Sequence, residues 1–191
     1  MLQVIICPNE RFSMAETAQM AIEAGCQWID IHAPELSDEE LRPDAVEITE
    51  LCRETGTILI FEDRPELARE LGVHGIYLSH RDVSPQKVRE EMGPEAIIGM
   101  EVVSSSTAAG LESLDIDYAV VAPSSSEEDK NMIPHELRAA GSKMPLVARG
   151  NFTPSMIPAL LEKGYSGICT RIDKADDPVA FAEELLNALT R

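Results

Sequence analysis

The chain has 191 residues, 44% of them hydrophobic, which suits one domain over residues 1–191 with a sizeable core and is short for two. Sixteen basic residues face 34 acidic ones, and the resulting net charge of -18 repels a nucleic-acid backbone and an anionic membrane surface alike. No run approaches the roughly 18 apolar residues of a membrane span, and the N-terminus enters an apolar segment with no charged leader or cleavage site, so a cytoplasmic location is expected. Cys7, Cys26, Cys52 and Cys169 are widely spaced without a Cys-x-x-Cys pair, which suits free thiols in a reducing compartment.

In chain order, short β-branched apolar runs fall at Leu2 to Cys7, Gln27 to His32, Thr57 to Phe61, Gly75 to Leu78, Ala96 to Met100, Asp117 to Val121, Pro145 to Ala148 and Gly167 to Thr170. Helical patterns lie between them. Ser13, Ser37 and the pair Ser84-Pro85 are start signals, and Gly25, Gly56 and Gly164 are stop signals ahead of the next strand. The polar stretch Ser124 to Asp129 reads as a loop after the sixth strand. Strict alternation of strand and helix implies right-handed crossovers and a parallel sheet covered by helices. Eight units predict an α/β fold, a single (β/α)8 TIM barrel, with a doubly wound open sheet as the competing arrangement.

In such a barrel the site is built at the C-terminal strand ends. Period-two alternation puts Trp28, Asp30 and His32 on one face of strand two and Ile29 and Ile31 on the other, so an acid and an imidazole face the barrel interior. Strand three ends in Glu62-Asp63-Arg64, strand four leads into Ser79-His80-Arg81-Asp82, and strand five ends at Glu101. Strand seven ends in Arg149-Gly150-Asn151 and strand eight in Thr170-Arg171, a pair of neighbours that suits phosphate binding. Local roles compete with these. Asp63 is either a metal carboxylate or a partner of Arg64, and Asp82 either a ligand or a turn former. Arg149 and Arg171 bind phosphate or pair with Glu101 or Asp173. His32 and His80 lack a second histidine at zinc-ligand spacing, and His74 and His135 read as connector or surface residues.

The stretch Leu59-Ile-Phe-Glu-Asp-Arg-Pro-Glu-Leu-Ala68, then Gly75-Ile-Tyr-Leu-Ser-His-Arg-Asp82, then Pro94-Glu-Ala-Ile-Ile-Gly99 resembles the thiamine phosphate synthases of the thiamine phosphate synthase and thiazole tautomerase superfamily. Asp117-Tyr118, Ala122-Pro123, Lys130, Pro145 to Gly150 and Asp177-Pro178 resemble its later motifs. The resemblance implies the barrel and a magnesium-dependent transferase of thiamine biosynthesis that couples hydroxymethylpyrimidine diphosphate to thiazole phosphate and releases diphosphate. It implies Mg2+ at Asp63 and Asp82 and a catalytic lysine at Lys130. His32 is the second catalytic candidate, and Arg149, Gly150, Asn151, Thr170, Arg171, Asp30 and Glu101 are candidates for holding a small phosphorylated heterocyclic substrate. A homo-oligomer is compatible with the resemblance.

The chain departs from the family pattern in one direction. The family's Gln-x-Arg-x-Lys of strand two is here Asp30, His32 and Pro34. Its Asn before the metal aspartate is Glu62, its strand-five Ser is Glu101, its loop threonines are Glu127 and Asp129, and its Gly-Gly is Gly150-Asn151 behind Arg149. The position matching the tautomerase histidine is Pro123. These exchanges trade cations and phosphate donors for acids. The alternative expectation is therefore a non-catalytic or regulatory binder of thiamine-related or phosphorylated ligands, and an acidic mouth also suits a cationic or amine-bearing ligand.

Overall fold

The computed structural model describes residues 1–79, 83–108 and 110–190. The eight strands are β1 (Leu2–Ile6), β2 (Trp28–Ile31), β3 (Ile58–Glu62), β4 (Gly75–Leu78), β5 (Ile97–Val102), β6 (Tyr118–Val121), β7 (Leu146–Arg149) and β8 (Gly167–Thr170). All pair in parallel in sequence order, and β8 returns to β1 through Leu2 opposite Ile168 and Val4 opposite Thr170, closing a barrel. The open sheet is thereby excluded. The helices are α1 (Met14–Glu23), α2 (Asp38–Thr55), α3 (Pro65–Leu71), α4 (Pro85–Met92), α5 (Ser105–Ala108), α6 (Glu127–Ala139), α7 (Ile157–Glu162) and α8 (Pro178–Leu189).

Local chemistry explains the helix ends. Ser13 and Ser37 each accept from the backbone N–H three residues on, while Glu16 and Glu40 reach back to the serine N–H, forming two capping boxes. Gly56 ends α2 with φ of 69°, a left-handed conformation that a side chain disfavours. The stretch read as a loop after strand six is shorter than expected. Ser126 accepts from the Asp129 N–H, so Glu127, Glu128 and Asp129 form the first turn of α6, where acids face the positive end of the helix.

Strand alternation divides the core in two. Val4, Ile29, Leu59, Ile76, Ile98, Ala119, Leu146 and Ile168 point outward and pack under the helices. Ile5, Ile60, Tyr77, Tyr118, Val120, Val147 and Cys169 fill the barrel interior, with Trp28, Ile58 and Ile97 against them. Tyr118 crosses the interior to meet Trp28 edge-on, with ring centroids 5.5 Å apart. Gly99 makes that possible, because a Cβ there would lie 2.1 Å from the Tyr118 ring. The apolar filling occupies the lower barrel together with buried Gln3, and the charged inward residues are stacked at the C-terminal strand ends.

Candidate functional site at the C-terminal barrel mouth

Arg149, the last residue of β7, turns into the barrel and is the hub of the mouth. Its guanidinium donates to Glu62 Oε2 at 2.7 Å and to Asp30 Oδ2 at 3.4 Å, and it lies over the Tyr77 ring at 5.0 Å from the centroid. The side chains of Arg149, Asp30 and Glu62 are 10%, 3% and 9% exposed, so the cluster is desolvated. The sequence reading offered Glu101 as the partner of Arg149; the structure pairs it with Asp30 and Glu62, and Glu101 instead accepts from the Tyr77 hydroxyl at 3.0 Å. His32 Nδ1 sits 2.6 Å from Glu62 Oε2.

The two carboxylates around Arg149 are driven apart. Burial pushes Asp30 up to about 7, against the opposing pull of Arg149. Glu62 is also opposed by burial, but the hydrogen bond from His32 and the Arg149 charge hold it below the ordinary carboxylate range. Glu62 thus carries the permanent negative charge, and Asp30 is the group that takes a proton. With Glu62 anionic, His32 donates through Nδ1, and Nε2 of a neutral ring is left as an acceptor.

Asp63 follows β3 with φ of 53°, a left-handed backbone that Asp tolerates better than most residues. Its carboxylate accepts from the Ser79 N–H at 2.9 Å and from the Ser79 hydroxyl, which ties the ends of β3 and β4 together. Arg64 turns away to Asp38 and the carbonyls of Ala33 and Leu36, bracing the loop after β2. His32, Asp38, Glu62, Asp63, Glu66 and Ser79 line a cleft of about 500 Å³ on this side of the mouth. Among the described residues no group of three or more His, Cys, Asp or Glu side chains has the arrangement of a metal site. Asp82, the second expected metal carboxylate, lies outside the described residues, as does His80. A hard oxygen donor fixed at a strand end still fits magnesium, which takes one or two carboxylates and keeps its other positions for water and phosphate.

The remaining candidates divide. Gly150 donates its N–H to the Cys169 carbonyl at 3.1 Å, extending the ladder, and Asn151 is exposed beside it. Arg171 pairs with Asp173, donating through Nε at 2.9 Å, as the local reading proposed. Lys130 lies on α6 and pairs with Glu127 at 2.8 Å. Thr170 does not face the mouth. It follows the inward Cys169 and shares the outward face of Ile168, where it is 1% exposed beneath the helices. Sequence reasoning missed Tyr77, whose inward alternation in Gly75-Ile-Tyr-Leu78 was the available signal.

A closed (β/α)8 barrel with acids, an imidazole and an arginine gathered at its C-terminal mouth defines a barrel scaffold of the kind that hosts small-molecule chemistry at its strand ends. Residues 2–172 match the family model described as thiamine monophosphate synthase, and the chain belongs to that family as a synthase-like member. A thiamine-phosphate synthase of Bacteroides fragilis is 34% identical over 200 residues, covering 97% of this chain and 98% of the relative. One from Natronomonas pharaonis is 27% identical over 188 residues, covering 93% of this chain and 88% of the relative. In fold, the chain is similar to the thiamine phosphate pyrophosphorylase of Pyrococcus furiosus, with a TM-score of 0.85 at 23% identity over 99% of this chain and 95% of that one.

Proposed function

We propose that this chain is a magnesium-dependent transferase that joins hydroxymethylpyrimidine diphosphate to thiazole phosphate, forming thiamine phosphate and releasing diphosphate. The observation that carries the proposal is Asp63, fixed in a left-handed backbone by Ser79 at the family's metal position and facing a rim cleft. Asp63, with Asp82, would hold the magnesium, which would supply charge stabilisation for the departing diphosphate. In the reaction the carbon–oxygen bond to diphosphate breaks, its electron pair leaves with the anion, and the thiazole nitrogen forms the new bond. Positive charge that builds on the pyrimidine as the anion departs meets the anionic Glu62, with His32 hydrogen-bonded to it. Lys130, once released from exposed Glu127, is the cation available to a phosphate oxygen. The buried free thiols and the absence of any long apolar helix among the described residues suit a biosynthetic enzyme of the cytoplasm.

One observation favours a second reading. Lys130, Arg149 and Arg171 each have a carboxylate partner within the chain, so a ligand diphosphate must displace an acid to reach any of them. On that reading the barrel is a regulatory binder of thiamine-related ligands. An assay with both substrates and magnesium separates the two. Thiamine phosphate formation that is abolished by Asp63→Asn supports the transferase, and saturable binding by calorimetry with no product at high protein concentration refutes it.

A further inference from the structure

A groove of about 600 Å³ runs between α1 and α2 on the outside of the barrel, and none of the residues described at the mouth lines it. Phe12, Met20 and Leu51 supply its apolar lining, each half-buried, so that apolar surface stays open to solvent along the groove. Glu47, Glu50 and Glu54 stand three and four residues apart on α2 and form one row along a single helix face. All three are exposed, and none has a hydrogen-bond or ion-pair partner among the described residues. Glu16 and Glu23 line the groove from α1, where they accept from the neutral Ser13 N–H and Gln19 side chain at 2.7 Å and 2.9 Å. Among the described residues no lysine or arginine belongs to the lining. Arg11 lies over the Phe12 ring, but its guanidinium donates to the carbonyls of Asp173 and Ala175. An apolar strip thus runs between uncompensated acids on two helices.

We propose that the α1–α2 groove docks an amphipathic helix of a partner protein, one whose apolar stripe is flanked on both sides by lysine or arginine. Charge complementarity selects this occupant. A helix laid along the groove repeats the three- and four-residue spacing of the Glu47, Glu50 and Glu54 row, so its basic flank meets those acids turn by turn while its stripe covers Met20 and Leu51. The other flank meets Glu16 and Glu23 of α1. Met20 suits such a contact, because its flexible thioether adapts to the side chains laid on it. A second copy of this chain is a poor occupant, since a net charge of -18 on each copy brings acid against acid. The proposal stands on the outer face and does not require that the mouth be a synthase site.

The test is fluorescence anisotropy of a labelled synthetic peptide, with leucine along one helical face and lysine on both flanks, titrated with the full chain. A scrambled isomer of equal charge is the control for electrostatics alone, and the segregated peptide is expected to bind at least about tenfold more tightly. Met20→Glu, and separately the combined Glu47→Gln, Glu50→Gln and Glu54→Gln variant, each checked for folding by circular dichroism, are expected to weaken it at least about tenfold. Combining Glu90→Gln, Glu95→Gln and Glu112→Gln removes the same charge elsewhere on the surface and is expected to leave binding unchanged. Equal binding of the scrambled isomer, parent-like binding in either groove variant, or an equal loss in the distant variant overturns the proposal. Spermidine binding as tight as that of the peptide would assign the groove to a small polycation, and self-association lost in the groove variants would assign it to a second copy; either overturns the proposal. Failure of the synthase assay alone leaves every one of these readouts standing.

Discussion

Replacing Arg149 with methionine keeps a long apolar stem on β7 and removes the cation that Asp30 and Glu62 share. Both carboxylates are more than nine-tenths buried as side chains, so what remains is an uncompensated acidic pair inside the barrel. Removing one partner of a buried ionic cluster costs about 3–5 kcal/mol. For a domain of this length each kcal/mol lowers the melting temperature by about 2–4 °C, so a fall of roughly 6–20 °C is expected at pH 8. The loss shrinks in acid, because Asp30 is already the group that takes a proton and rises further without Arg149. Calorimetric melts of both proteins at pH 8 and pH 5.5 measure the effect. An equal depression at the two pH values, or a variant that melts with the parent at pH 8, would refute the buried-cluster reasoning.

Asp30 supplies a companion test. Burial raises it to about 7 in the fold from an ordinary 3.8, so the folded state binds the extra proton and stability falls as pH rises from about 4 to about 7. Asp30→Asn is expected to flatten the stability profile in that window, as read by urea midpoints, and an unchanged slope assigns the proton elsewhere. Gly99→Ala drives a methyl group into the Tyr118 ring and is expected to cost about 1–3 kcal/mol in chemical denaturation, with Tyr118 fluorescence altered. Parent-like stability there would mean that the lower barrel repacks freely. Asp63→Asn keeps a residue that tolerates the left-handed backbone, so it should melt near the parent while magnesium-dependent product formation falls at least about a hundredfold.

Much of the architecture is local and was legible. The capping boxes at Ser13 and Ser37 close within four residues, and the inward face of Trp28, Asp30 and His32 follows from the two-residue period of a strand. Within Ser124 to Asp129 the loop ends at Ser126, whose cap turns the solvated-looking acids Glu127, Glu128 and Asp129 into a helix start. Thr170 looked functional as a polar strand end, yet one step of alternation places it under the helices.

By itself, then, the sequence determined the eight strand–helix units, their faces and the ring of polar residues at the strand ends, since each depends on hydrogen bonds and periodicities that span a few residues. Tertiary structure alone decided which acids Arg149 meets, for Asp30 lies 119 residues away and Glu62 87 residues away. It also decided that acids of α1 and α2 line the same groove. Pairings across the mouth exist only once β8 has closed on β1, because closure sets which inward side chains share a level and removes the water that would otherwise screen their charges.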